Sequence, residues 1–130
     1  MEATKLTNRL VTEELVSTFK DYPLYSQDGK KKDALCIAVF HIGNIRWYIM
    51  EGQQEENDFI FYGIVVGTVE TEYGYVSANE MASIKVDASR YGLGMLQVEQ
   101  DKSFKQRTLS EIKDVDLQAF LSRLYDNTNV

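Results

Sequence analysis

IRWYIMEGQQEENDFIFYGIVVGTVETEYGYV, residues 45–76, decides the fold of this 130-residue chain. The stretch contains the only tryptophan of the chain, four of its eight tyrosines and four of its eight glycines. Apolar runs alternate in it with polar segments rich in carboxylates, which is the pattern of antiparallel strands and their turns. We therefore predict that residues 45–76 form two or three strands at the centre of a small sheet.

The strand predicted over residues 45–50 has two different faces. Successive side chains of a strand point to opposite sides, so Trp47 shares one face with two isoleucines, while Arg46 and Tyr48 lie on the other. We expect the face with Trp47 to lie in the core. Residues 51–58 are predicted to be a polar loop. Residues 59–67 (FIFYGIVVG), which are apolar on both faces, are predicted to be a central strand.

Helix signals flank these strands. Thr12 is followed by two glutamates, as is typical of a helix start, and Pro23 ends that helix at or before the preceding residue. Ser77 and Thr108 each precede a glutamate by three residues, which is the spacing of a capping box. The last part of the chain has apolar residues at the i, i+3, i+4 and i+7 spacing of an amphipathic helix: Leu117, Phe120, Leu121 and Leu124.

Further strands are predicted over residues 34–42 and 68–76, with a short edge strand over 95–100. The chain is long enough to form a core without a disulfide or a structural metal. We therefore predict one α+β domain over residues 1–130. It consists of a single antiparallel sheet of four or five strands, packed by N- and C-terminal helices.

Composition and charge restrict the class of function. The net charge is −6, and residues 51–100 carry nine acidic but only two basic side chains. Such a surface repels phosphate, so nucleic acid is not an expected partner. The N-terminal residues lack the apolar core of a signal peptide and no run reaches membrane-spanning length, so we expect no membrane association. The single cysteine, Cys36, lies in an apolar run, which predicts a buried, inert thiol in a reducing, cytoplasmic compartment.

The sequence offers little material for catalysis, and we expect no cofactor. The only histidine, His41, lies near the end of an apolar strand without a nucleophile at a suggestive spacing. One histidine and one cysteine cannot complete a tetrahedral zinc site. The enzymatic alternative is carboxylate chemistry. Glu51, Asp58 and Glu72 could hold a divalent metal ion, or act as acid and base, if the strand order brings them together.

Binding of single-stranded nucleic acid is the other alternative. Eight of the fifteen aromatic residues lie between Phe40 and Tyr75, and aromatic rings on an exposed sheet face can stack on bases. Arg46 and Tyr48 share a face, and lysines 30–32 lie at a turn. Against this alternative, the acidic middle of the chain repels phosphate, and aromatic residues in a small sheet usually form core or cross-strand pairs.

Four short motifs follow one another in the chain: Pro23-Leu24-Tyr25, Trp47-Tyr48-x-x-Glu51-Gly52, Asp58 before Phe61-Tyr62-Gly63, and Glu72-x-Gly74-Tyr75. In this order they resemble a bacterial domain-of-unknown-function family of phages, plasmids and conjugative elements. Near residue 100 the family has an acidic-Arg-Asp-aromatic run, and here Gln100 replaces its arginine. The resemblance implies a mobile-element setting and no particular activity.

Taken together, these features predict a cytoplasmic accessory protein of a mobile genetic element that acts by protein–protein interaction and not by catalysis. The expected partner is a host or mobile-element protein, bound through an acidic and aromatic sheet face. The candidate interaction residues are Arg46, Tyr48, Glu51, Glu55, Glu56, Asp58 and Glu72.

Overall fold

The computed structural model describes residues 8–126, so residues 1–7 and 127–130 of the predicted domain lie outside the described part. Its strands, in chain order, are β1 (Leu35–Cys36), β2 (Ala38–Ile42), β3 (Ile45–Glu55), β4 (Asp58–Val66), β5 (Glu72–Ser77), β6 (Lys85–Asp87), β7 (Met95–Gln97), β8 (Glu99–Gln100) and β9 (Arg107–Thr108). Five of them form an antiparallel sheet in the order β5-β4-β3-β2-β8. The predicted α+β class and strand number are confirmed. β1 pairs with β9, and β6 with β7.

Three helices, α1 (Glu13–Phe19), α2 (Ala78–Ser83) and α3 (Val115–Tyr125), cover the sheet on both sides. On the first face, α1 and α2 enclose a core that includes Phe40, Trp47 and Phe61. On the second face, α3 packs on a separate core that includes Tyr48 and Ile64. Trp47 is 9 % exposed, which confirms the face predicted to be buried. No helix within residues 8–126 is long and apolar enough to cross a membrane.

The helix starts follow from their capping residues. The Thr12 hydroxyl accepts a hydrogen bond from the Leu15 amide in α1, and the Ser77 hydroxyl accepts one from the Glu80 amide at the start of α2, both at 3.1 Å. The Thr108 capping box starts only a 3₁₀ turn, Leu109–Glu111. α3 begins later because Asp114 caps it, which satisfies two of the amide groups left unpaired at a helix N-terminus.

The prediction of a polar loop over residues 51–58 is wrong. β3 continues through Glu55 and β4 begins at Asp58, so only Glu56 and Asn57 form the turn. Glu56 has φ +57°, as a two-residue hairpin turn of the primed types requires. The backbone hydrogen bonds of a hairpin need no apolar side chains, and residues 53–57 are exposed. Because this part of the hairpin is polar, the sequence pattern predicted a loop where the two strands continue.

Other predicted strands are shorter or divided. β5 begins at Glu72 rather than at residue 68, because residues 67–71 are needed for the turn from β4. The strand predicted over 34–42 divides at Ile37 into β1 and β2, which pair with different partners. The strand predicted over 95–100 likewise divides into β7 and β8, and only β8 joins the main sheet as its edge.

A bulge at Met50 changes which residues of β3 face which side. Ile49 pairs with Gly63 and Glu51 pairs with Tyr62, so Met50 is an extra residue between them. Beyond the bulge, a side chain at Gly52 would meet Phe19 and Phe59 on the first face. Its neighbour Glu51 therefore belongs to the second face, together with Tyr62.

Candidate functional site

The predicted interaction residues do not form one acidic face. Asp58 pairs with Glu55 at the tip of the β3–β4 hairpin, whereas Glu72 pairs with Val65 near the other end of β4. A strand rises about 3.4 Å per residue, so the seven residue steps between positions 58 and 65 span about 24 Å. The carboxylates of the hairpin tip and of β5 thus lie at opposite ends of the sheet.

The three carboxylates of the metal hypothesis are not brought together either. Asp58 accepts hydrogen bonds from the Ser77 hydroxyl and from the amides of Phe59 (2.7 Å) and Asn79 (3.0 Å). Burial alone would raise the pKa of Asp58, but these bonds lower it, so the carboxylate is occupied in fixing the start of α2. No group of three or more His, Cys, Asp or Glu within residues 8–126 could hold a metal ion.

Arg46 and Tyr48 hold the beginning of α3. The Arg46 guanidinium donates to both oxygens of Asp114, with Nη2–Oδ2 and Nη2–Oδ1 distances of 2.8 and 3.1 Å, and the Tyr48 hydroxyl donates to Oδ2. Burial and the bond to Asp114 raise the pKa of Tyr48, so its hydroxyl stays protonated. Tyr48 is only 7 % exposed. Its ring therefore does not present the free stacking surface that the nucleic-acid alternative requires.

Cys36 and His41 show no sign of nucleophilic chemistry. The Cys36 side chain is fully buried in the core of the second face, which confirms the predicted buried thiol. Burial raises the pKa of Cys36 to about 12, so the nucleophilic thiolate does not form near neutral pH. His41 is half-buried in β2, where its backbone pairs with Arg46.

Glu51 is a buried carboxylate that holds a distant loop. It is 2 % exposed, and its Oε1 and Oε2 accept hydrogen bonds from the amides of Tyr25 (2.7 Å) and Gln27 (2.9 Å). The equally buried Gln27 side chain bonds the carbonyls of Leu35 and Met50 and the Leu35 amide. These bonds tie the loop after α1 to β1 and β3, and they satisfy buried polar groups that would otherwise be unpaired.

Tyr25 lies in this loop with an unusual backbone conformation. Its φ of +76° is in the left-handed region, which costs a non-glycine residue about 1–2 kcal/mol. The side chain is nevertheless 64 % exposed, so its burial does not offset that cost. The Tyr25 amide donates a hydrogen bond to the carboxylate of Glu51, which fixes the position of this backbone. The left-handed conformation of Tyr25 therefore lowers the stability of the fold, while the ring that it positions remains in solvent.

The exposed ring of Tyr25 lies near two tyrosines of the sheet. Tyr62 and Tyr75 are register partners on β4 and β5, and their ring centroids are 4.7 Å apart. Tyr25 lies close enough to Tyr75 to affect the pKa of its hydroxyl, and Tyr75 is 54 % exposed. We call these three residues the tyrosine surface. It lies on the second face, along β5 at the edge of the sheet.

The end of α3 supports the tyrosine surface from the side. The Tyr73 ring is nearly parallel to that of Tyr62, with centroids 5.8 Å apart, and it also contacts Phe120 of α3. The hydroxyls of Tyr73 and Tyr125 are 2.7 Å apart and hydrogen bonded. The Tyr62 ring therefore lies between the ring of Tyr73 and the solvent-exposed ring of Tyr75.

The tyrosine surface is uncharged but lies close to negative charge. The nearby Tyr25, followed by burial and then by Tyr62 and Glu51, raises the pKa of Tyr75 to about 12. Burial, Glu51 and Asp28 raise the pKa of Tyr62. The hydroxyls of Tyr62 and Tyr75 therefore remain protonated at neutral pH. The surface offers aromatic area and hydrogen-bonding hydroxyls, with carboxylates near enough to oppose an approaching anion.

None of the three residues of the tyrosine surface was among the predicted interaction residues. All three stand in quoted motifs: Pro23-Leu24-Tyr25, Phe61-Tyr62-Gly63 and Glu72-x-Gly74-Tyr75. The sequence gives no sign of their exposure, because that depends on where α3 ends and on the left-handed conformation at Tyr25.

The comparisons with known proteins give a family but no activity. No curated protein and no solved structure matches the chain. The family described as "Protein of unknown function (DUF2958)" matches residues 10–119, a range that includes the tyrosine surface and Glu51. Since this match covers most of the sequence, the chain belongs to the DUF2958 family of proteins of unknown function.

Proposed function

We propose that this protein is a non-enzymatic accessory protein that binds another protein through the tyrosine surface. One observation carries the proposal: the exposed ring of Tyr25 is held in a left-handed backbone conformation by the buried carboxylate of Glu51. Strained backbone persists only where the surrounding structure enforces it, and it concentrates at functional sites. Here the enforced feature is an aromatic ring in solvent.

The chemistry of the surface favours a protein as the partner. Tyrosine is enriched at the centres of protein interfaces, because it brings a large rigid ring and a hydroxyl at a low entropic cost. Nucleic acid would also stack on the rings, but each phosphate would approach Glu51 and Asp28, whose charges already act on these hydroxyls. An uncharged or basic protein surface meets no such repulsion.

The acidic residues keep a role at the rim of the proposed interface. Of the predicted carboxylates, Glu51 and Asp58 serve internal contacts, and Glu55, Glu56 and Glu72 remain exposed. Exposed charges at a rim, here those of Glu55 and Glu56 at the hairpin tip, steer a partner and affect the rate of association more than the final affinity. We include in the proposal a cytoplasmic location, a mobile genetic element as the source, and a host or mobile-element protein as the partner.

Capture of partners from a lysate of the host carrying the element tests the proposal. The bait proteins are the wild type, Tyr75→Ala and, as a control, Tyr91→Ala, which removes a 74 % exposed tyrosine outside the tyrosine surface. We expect a protein that the wild type and Tyr91→Ala retain equally. With that protein purified, Tyr75→Ala should bind at least about tenfold more weakly, as expected for an interface anchor.

Two results would contradict the proposal. In the first, Tyr75→Ala and the wild type bind every retained protein with the same affinity. In the second, the wild type binds single-stranded oligonucleotides at micromolar concentration and Tyr75→Ala does not, which would assign the rings to base stacking.

A further inference from the structure

A groove lies on the first face of the sheet beside β5, on the other side of the strand from the tyrosine surface. Its volume is about 250 Å³. Gly63 and Gly74, which are register partners on β4 and β5, contribute no side chains to it. Its apolar lining includes Trp47, Ile49, Val65 and Val76, and among residues 8–126 Glu72 is the one charged residue of the lining. We call it the glycine groove.

Glycine occupies these two positions of the groove for different physical reasons. A Cβ at Gly63 would lie 2.0 Å from the backbone oxygen of Tyr48, so packing against the bulged β3 requires glycine there. A Cβ at Gly74 would meet nothing within 4 Å, and its φ is not in the left-handed region. Glycine within a strand lowers stability. The physical effect of glycine at position 74 is to leave the groove open.

Glu72 gives the glycine groove its charge preference. The residue is exposed, and its carboxylate has no hydrogen bond or ion pair with any residue between 8 and 126. It stands beside apolar walls that include the indole of Trp47. A side chain with an apolar stem and a cationic end matches this lining, because the stem covers the walls and the cation pairs with the carboxylate.

The neighbouring strand edge adds a place for a backbone. β5 is one edge of the five-stranded sheet, and within residues 8–126 no backbone hydrogen bond outside the β4–β5 ladder involves residues 72–76. An extended segment can add to such an edge, with its alternate side chains directed to the two faces. One of these side chains would then reach the glycine groove, and the next would lie near the tyrosine surface.

We infer that the glycine groove binds an arginine side chain, carried on an extended segment of the partner that adds to β5. The inference rests on the proposed protein-binding function, since the partner supplies the arginine. Arginine fits better than lysine because its planar guanidinium can pair with a carboxylate through two parallel hydrogen bonds, which a lysine ammonium cannot form. A second copy of this chain is a poorer occupant, because it would bring another Glu72 to the same edge and a net charge of −6.

Peptide binding followed by the fluorescence of Trp47, the only tryptophan of the chain and part of the groove lining, tests this inference. The probe is acetyl-Thr-Thr-Val-Arg-Val-Thr-Thr-amide, and its control carries citrulline, the uncharged isostere of arginine. We expect a saturable change in emission with the arginine peptide and affinity at least about tenfold lower with the citrulline peptide. A lysine peptide should bind with intermediate affinity.

Three variants make the test specific. Glu72→Gln should lower the affinity for the arginine peptide at least about tenfold. Glu70→Gln, which changes an exposed neighbour outside the groove lining, should leave that affinity unchanged. Gly74→Val should abolish binding while leaving the melting temperature unchanged or higher, because its side chain enters open space. This last variant separates a blocked groove from an unfolded protein.

The inference is overturned if the arginine and citrulline peptides bind equally, if neither changes the emission saturably, or if Gly74→Val binds like the wild type. It is also overturned if sedimentation shows a wild-type dimer that Gly74→Val dissociates, since a second copy would then occupy the edge. These results leave the capture experiment with Tyr75→Ala to decide the proposed function independently.

Discussion

Replacement of Gly63 by alanine is expected to lower the free energy of unfolding by about 3 kcal/mol, one of the two largest effects predicted for this protein. The added Cβ would lie 2.0 Å from the carbonyl oxygen of Tyr48 and 2.8 Å from the Cα of Ile49. Both atoms belong to the backbone of β3, so no side-chain rotation can relieve the clash, and the central strands must separate. Urea unfolding of the purified variant measures the loss.

Gly74→Ala is the matched control for this substitution. Gly74 pairs with Gly63 in the sheet, but a Cβ added to it meets open space. We expect the free energy of unfolding to stay the same or to rise by about 0.5 kcal/mol, since alanine restricts the unfolded chain. Equal losses in the two variants would show that the close approach of β3 and β4 at the bulge is wrong.

Replacement of Glu51 by alanine is the second large effect, with an expected loss of about 3 kcal/mol in the free energy of unfolding. The variant leaves the amides of Tyr25 and Gln27 without their charged acceptor, and the Gln27 side chain is fully buried. The expected loss is somewhat offset because a charge no longer has to be buried. Urea unfolding again gives the value.

Glu55→Ala is the control, because Glu55 is an exposed residue of the same strand. The free energy of unfolding of Glu55→Ala should fall by no more than about 0.5 kcal/mol. The Glu51 variant should also bind the captured partner more weakly at a temperature where it remains folded, because Tyr25 is no longer held. A Glu51→Ala protein as stable as Glu55→Ala would contradict the role of the carboxylate in the loop.

The parts of the fold that depend on local pattern could be predicted from the sequence. Alternation over residues 45–50 placed Trp47 on the buried face, and the capping hydroxyls of Thr12 and Ser77 marked the starts of two helices. Helical spacing also predicted the apolar residues of α3, three of which are buried. In each case, the physical cause acts between residues close in sequence, so the sequence alone shows it.

The parts that depend on distant contacts could not be predicted. Strict alternation places Glu51 on the same face as Trp47, but the bulge at Met50 shifts the count by one and moves Glu51 to the second face. Its hydrogen-bond partners lie in a loop about 25 positions earlier in the chain. A glutamate in a polar segment is normally solvated. Only the assembled structure shows that this one is buried.

The candidate site changed for the same reason. The sequence predicted an interaction face from charge, and the structure separates those charges along the sheet and uses Arg46, Tyr48 and Asp58 to fix helix starts. The tyrosine surface depends instead on pairing between β4 and β5 and on a single left-handed residue. Neither feature leaves a distinct pattern in the sequence.

The most direct test of the central claim is the affinity of Tyr25→Gly for the captured partner. Glycine adopts a φ of +76° without strain, so the variant should be folded and more stable than the wild type by about 1 kcal/mol, while it lacks the exposed ring. The proposed function predicts that this more stable protein binds the partner at least about tenfold more weakly. Wild-type affinity in Tyr25→Gly would contradict it.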